Sequence, residues 1–123
     1  LTRGAQFVES LPRKVRFYDR NERRSYELTR AVAARLIDDP TLIGNAVAYT
    51  RRHMSGDAHQ SRYFAIWQEE LRQDVADIVR HLLEDSSRGA LLRDTQPVFC
   101  VLTAEAREEI IRRSRLGGAV TAA

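Results

Sequence analysis

In this 123-residue chain the side chains able to do acid–base, nucleophilic or metal chemistry are three histidines, one cysteine and 17 carboxylates. His53 and His59 are six positions apart with Gly56 between them, which puts them on different helical faces. No Asp or Glu stands near them at a spacing that zinc sites use, so no metal site is expected. The pairs Asp38-Asp39, Glu69-Glu70, Glu84-Asp85 and Glu108-Glu109 are neighbours in sequence. Adjacent carboxylates on a helix point apart, and Arg residues lie close to each pair, so they read as solvated charge. Ser86 and Ser87 have no neighbouring His or Lys to activate them and read as a helix cap. Cys100 sits in an apolar run as a small hydrophobe, and a single cysteine can form neither an intrachain disulfide nor a cysteine metal cluster. A reducing cytoplasm is the simplest home for such a chain. No catalytic residue, cofactor or metal is expected from these residues.

The arginines are more suggestive. Lys and Arg total 20 against 17 Asp and Glu, a net charge of only +3, and Lys14 is the sole lysine. Residues 1–35 carry nine basic and four acidic side chains, net +5, whereas residues 61–95 carry five and seven, net −2. Phe17 and Tyr18, two aromatics outside any clean amphipathic stripe, are flanked by Arg16 and Arg20. Aromatic and Arg side chains together are the usual anchors of a protein interface, so these four are candidate partner contacts. Arg88, Arg93 and Gln96 form a second candidate contact surface, with helix capping as the alternative use. The same basic arm, Arg13-Lys14-Val15-Arg16 with Arg20, Arg23 and Arg24, could instead touch phosphates without reading sequence.

Two further patterns bear on nucleic acids. Arg52 precedes His59 with six residues between them, a spacing that resembles the Arg-and-His motif of the HEPN ribonucleases. That resemblance implies Arg52 polarising an RNA phosphate and His59 acting as acid or base on the ribose hydroxyl. Gly56 interrupts the helix such a pair would need. Leu28 through Arg52 is also loosely similar to a helix-turn-helix with the basic end Arg51-Arg52, which implies a DNA-binding regulator.

The elements that would position these groups read as helices. Leu28, Val32 and Leu36 recur every four residues among alanines, predicting a helix over Glu22 to Ile37. Asp39-Pro40 ends it and starts the next, because the residue before proline avoids the helical region and proline suits a first helical position. Ile43, Val47, Thr50 and Met54 share a face of the second helix, closed by Ser55-Gly56-Asp57. Phe64, Trp67 and Leu71 begin a third stripe that continues apolar through Leu83, with Asp74 either inside one long helix or capping a new one. Asp85-Ser86-Ser87 starts a short helix through Leu92, and Pro97 ends it. Val98 to Leu102 is the one extended-looking run, and Thr103 caps a last helix, holding Ala106 and Ile110, that Gly117-Gly118 stops. The expected architecture is all-α, a compact single-domain bundle of five or six helices. A basic, partly mobile arm over residues 1–20 precedes a helical domain over 21–116, with a flexible tail at 117–123. No apolar run approaches a membrane span, so no membrane is expected as partner.

Three stretches together carry a resemblance. They are Glu27-Leu28-Thr29-Arg30-Ala31-Val32-Ala33-Ala34-Arg35-Leu36 followed by Asp39-Pro40; then Trp67; then the run from Glu84-Asp85-Ser86-Ser87-Arg88-Gly89 through Leu92-Arg93 to Pro97-Val98-Phe99, with Leu102 and Glu105 beyond. In pattern and order, over roughly residues 22–112, they resemble a family of small helical bacterial proteins, frequent in actinobacteria, that look like antitoxins encoded beside a toxin gene. The chain departs from that pattern at Asp94-Thr95-Gln96 and at Val98, between Pro97 and Phe99. The resemblance implies a non-catalytic module that binds and neutralises a cognate toxin protein. Autoregulation through operator DNA and assembly into a homo-oligomer are further partner options that it leaves open.

Overall fold

The computed structural model describes residues 1–54, 56, 61–95, 103–109, 111 and 112. Among these the chain is all-helical. Helix α1 spans Arg3–Ser10, α2 Arg20–Asp38, α3 Ile43–His53, α4 Ser61–Glu70, α5 Val75–Leu83 and α6 Ser87–Thr95, with a 3-10 turn at Pro40–Leu42 between α2 and α3. Residues 104–109 are also helical, and the Ala106 amide donates to Thr103 Oγ1 at 3.1 Å, so Thr103 caps as its residue type predicts. The extended-looking run Val98 to Leu102 and the stop Gly117-Gly118 lie outside the described residues.

Helix α2 is the central element. It buries Tyr26, Thr29, Val32, Ala33 and Leu36 on one face, against α1 on one side and α5 and α6 on the other. Asp19 caps its start by accepting from the Glu22 amide at 2.9 Å, and Glu22 reaches back to the Tyr18 amide at 2.9 Å. Two amides at the entry are thereby satisfied, in a variant of the capping box in which the acid reaches the Tyr18 amide, one residue before the cap. At the far end the Asp39 amide closes on the Arg35 carbonyl, and Asp39 Oδ1 accepts from Thr41 to open the 3-10 turn at Pro40. The Asp-Pro signal thus makes the turn that its chemistry predicts.

Helix α5 supplies the other half of the core through Ile78, Val79, Leu82 and Leu83. Asp74 starts it as a separate helix, because residues 71–74 turn away after α4 and the Ile78 amide closes back on the Asp74 carbonyl. Trp67 on α4 is fully buried, and its indole Nε1 donates to Thr95 Oγ1 at the end of α6 at 2.9 Å. A buried indole N–H needs such a partner, and this one ties α4 to α6.

The first 20 residues, in which the sequence allows one short helix, form that helix, α1, docked on α2, and a strap after it. Thr2 caps α1 by accepting from the Ala5 amide at 3.0 Å. The Gly4 amide, which has no partner within its own helix, donates to Asp38 Oδ1 at the end of α2 at 2.7 Å. Gly4 is buried, and a Cβ there would lie 1.9 Å from the Ala34 carbonyl oxygen. The backbones of α1 and α2 meet because this position has no side chain.

Gly4→Ala is therefore expected to destabilise the fold by about 1–3 kcal/mol, the range for overpacking, although alanine is the better helix former. Urea unfolding of the two proteins checks this, and an unchanged or raised midpoint would show that α1 does not rest on Ala34.

Candidate functional site

Between α1 and α2 the chain runs as a strap, residues 11–18, without helical hydrogen bonding. Its inward contacts centre on Tyr26. The Lys14 amide donates to Tyr26 Oη at 3.2 Å, and that hydroxyl donates to the Leu83 carbonyl at the end of α5 at 2.8 Å. The Phe17 ring packs on Tyr26, centroids 5.5 Å apart, and the Lys14 ammonium lies 5.5 Å from the Phe17 centroid. Lys14 Nζ also meets Asp85 at 3.2 Å and Glu22 at 3.6 Å, while Arg13 pairs with Glu27. Exposed ion pairs of this kind contribute little singly. Together with the buried phenol hydroxyl, however, they hold the strap in one course.

The inward contacts decide what faces out. Tyr18 is 93% exposed and Val15 78%, with Arg16 and Arg20 exposed beside them. Arg16, Tyr18 and Arg20, singled out from the sequence, are thus all exposed within five residues of one another. Phe17, the fourth, is withdrawn, because its ring is the partly buried wedge against Tyr26. Val15 was not predicted, and nothing in a lone valine beside a lysine marks it as exposed.

The second predicted surface divides differently. Arg93 is buried at 9% exposure, and its guanidinium lies 5.0 Å from the Tyr26 centroid. Its Nη1 donates to the Leu82 carbonyl at 2.8 Å and to the Glu84 carbonyl at 2.9 Å, capping the end of α5. Arg93 is accordingly an internal cap and no part of an outer contact surface. Gly89 makes room for it, since a Cβ there would sit 2.1 Å from the Glu84 oxygen and 3.0 Å from Arg93 Nη1. Arg88 reaches Glu70 Oε2 at 3.4 Å, and His81 Nδ1 stands 2.5 Å from Glu70 Oε1. Glu70 has only 3% of its side chain exposed, whereas His81 and Arg88 are 41% and 53% exposed. This cluster joins the end of α4 to α5 and α6 around one buried carboxylate. Sequence reasoning missed it because Glu70, beside Glu69, looks like one more solvated acid. Gln96 lies outside the described residues.

The patterns related to nucleic acids are placed as follows. Arg51 and Arg52 are exposed on the last turn of α3, where cations favour the negative end of the helix. Helix-turn-helix recognition uses the N-terminal residues of the second helix, and here those are Ile43, Gly44 and Asn45. The chain is helix, turn, helix over 20–53, but its basic end is the far one. His59, the partner of Arg52 in the ribonuclease pattern, lies outside the described residues. Among the described residues no cluster of three or more His, Cys, Asp or Glu is arranged to hold a metal, and no helix is long and apolar enough to cross a membrane.

The fold and site define an all-α bundle whose N-terminal strap displays an aromatic and a valine among arginines. Compared with protein-family models, with curated proteins and with solved structures, the chain has no match.

The Glu70 cluster generates a directional test. Replacing Glu70 leaves His81 and Arg88, 41% and 53% exposed, free to return to water, whereas stripping those partners strands the buried carboxylate. Glu70→Leu should cost under about 1 kcal/mol, and the double change His81→Ala with Arg88→Ala about 3 kcal/mol. Guanidinium unfolding midpoints of the two variants decide it, and the reverse ranking would show that the cluster is not centred on Glu70. Arg93→Ala, which strands two backbone carbonyls, should cost about 2–4 kcal/mol, and an effect below about 0.5 kcal/mol would place Arg93 on the surface.

Proposed function

We propose that this chain is a non-catalytic protein-binding module, antitoxin-like, that neutralises a toxin protein encoded beside it and works with that toxin in the cytoplasm. The observation that carries the reading is the strap. An aromatic ring is left 93% exposed on backbone pinned by Tyr26, Lys14 and Glu22. A pinned, exposed tyrosine loses little conformational freedom when a partner covers it, which is what makes tyrosine an efficient interface anchor. Val15 adds apolar area, and Arg16 and Arg20 supply the charged rim that such anchors favour. Among the described residues the buried charged groups, Glu70 and Arg93, are engaged in joining helices. The antitoxin half of the reading rests on the resemblance carried by Glu27 to Leu36 with Asp39-Pro40, by Trp67 and by the run from Glu84 to Phe99.

Co-expression with the product of the adjacent gene, followed by size-exclusion chromatography and a growth assay, tests the reading. The expected result is a stable complex and rescued growth. Tyr18→Ala should weaken the complex about 30-fold, the effect of losing roughly 2 kcal/mol at a hot spot. It should shift the stability of the free protein by no more than about 0.5 kcal/mol, as for other exposed positions. A toxic neighbour that is neither bound nor neutralised would end the proposal.

A further inference from the structure

The strap does not account for all the unengaged positive charge. Arg20, Arg23 and Arg24 lie in the first turns of α2, all exposed, and Arg16 is exposed on the strap just before them. At about 100° per residue, the three helical arginines occupy one arc, roughly opposite the face that buries Tyr26, Thr29, Val32 and Leu36. None of the four makes an ion pair with another described residue, whereas their basic neighbours Arg13, Lys14 and Arg30 all do. The nearby acids are already engaged. Asp19 caps its own helix; Glu22 holds the Tyr18 amide and Lys14; Glu27 holds Arg13 and Arg30. The residues outside the described ones contain a single acidic side chain, Asp57.

The position of this arc works against the helix. The first turn of an α-helix is the positive end of its dipole, where carboxylates stabilise and cations destabilise. Arg20 stands in that turn and disfavours the helix slightly, while Arg23 and Arg24, in the turn after it, gain nothing from the dipole. These arginines are exposed and make no ion pair with another described residue, so that with Asp19 and Glu22 counted residues 16–24 keep a net positive charge around Tyr18, whose amide is bound to Glu22 one turn into the same helix.

We infer that Arg16, Arg20, Arg23 and Arg24 form the charged half of the interface and that the partner is a protein whose contacting face is rich in Asp and Glu around an apolar recess for Tyr18 and Val15. This rests on the protein-binding reading and specifies its partner. Charge complementarity requires an anionic partner, and the uncharged part of the patch selects the kind. A phosphate backbone satisfies guanidinium groups but does nothing for an isopropyl group 78% exposed among them. An acidic protein surface with an apolar recess covers Val15 and Tyr18 and neutralises the arginines at once.

The test uses the full chain with the purified product of the adjacent gene, measured by calorimetry and stopped-flow at rising salt. The triple changes Arg20→Glu, Arg23→Glu, Arg24→Glu and, as a milder version, Arg20→Gln, Arg23→Gln, Arg24→Gln are compared with wild type. Wild-type association should slow steeply as salt rises, and the Glu variant should bind roughly 10- to 100-fold more weakly, mainly through a slower on-rate. The free Gln variant should melt at about the temperature of wild type, since these exposed arginines make no ion pair with another described residue. Wild-type binding that is lost with Tyr18→Ala yet indifferent to salt and to both triple variants would overturn the acidic-partner inference and leave the protein-binding reading intact. No wild-type complex at all would remove both. Tight, arginine-dependent binding to a single-stranded 30-mer or a duplex, with the neighbour bound independently of these arginines, would overturn the inference in favour of nucleic acid.

Discussion

The Tyr26 ring is where the molecule is held together. It is 2% exposed in the middle of the longest helix, with the Arg93 guanidinium and Phe17 against its ring and its hydroxyl bonded to the strap and to the end of α5. Arg93 in turn takes two carbonyls at the end of α5, and Gly89 leaves the space that this needs. One aromatic and one buried cation thus satisfy backbone groups that would otherwise be stranded where α2, α5, α6 and the strap meet. A buried phenol or guanidinium left unpaired is costly, and the full set of bonds here specifies a single arrangement.

The exposed face follows from that arrangement. Tyr18 is free because its neighbour Phe17 is not. Once Phe17 wedges against Tyr26 and Lys14 lies over Phe17, the residues between and after them turn to solvent. The accessible surface is therefore an output of packing elsewhere. The Glu70 cluster does comparable service beside it, where a buried carboxylate draws exposed His81 and Arg88, from the same end of α5 and the start of α6, onto the end of α4.

Much of the architecture was legible in local chemistry. The four-residue recurrence of Leu28, Val32 and Leu36, the Asp39-Pro40 turn and the caps at Ser86 and Thr103 each work over a turn or less, and each stands as read. What eluded the sequence were long-range meetings. Gly4 looks like an ordinary glycine near a terminus until it lies against Ala34, 30 positions on. Arg93 looks like a surface charge until it meets Tyr26 and the carbonyls of α5. Arg16, Tyr18 and Arg20 were legible as a group because aromatics among arginines stand out in a row, but the inward turn of Phe17 was not.

The amino-acid sequence by itself determined that the described residues fold as helices, where most of those helices begin and end, and that the positive charge gathers at the front. Those properties depend on neighbours within a few residues, through periodicity, capping and simple counting. Only the tertiary structure decided which of those charges are used up within the fold. Arg13, Lys14, Arg88 and Arg93 have partners, while Arg16, Arg20, Arg23 and Arg24 make no ion pair with another described residue. The reason is that an arginine's role depends on which carboxylate, carbonyl or ring lies within a few ångströms, and residues far apart in the chain determine that.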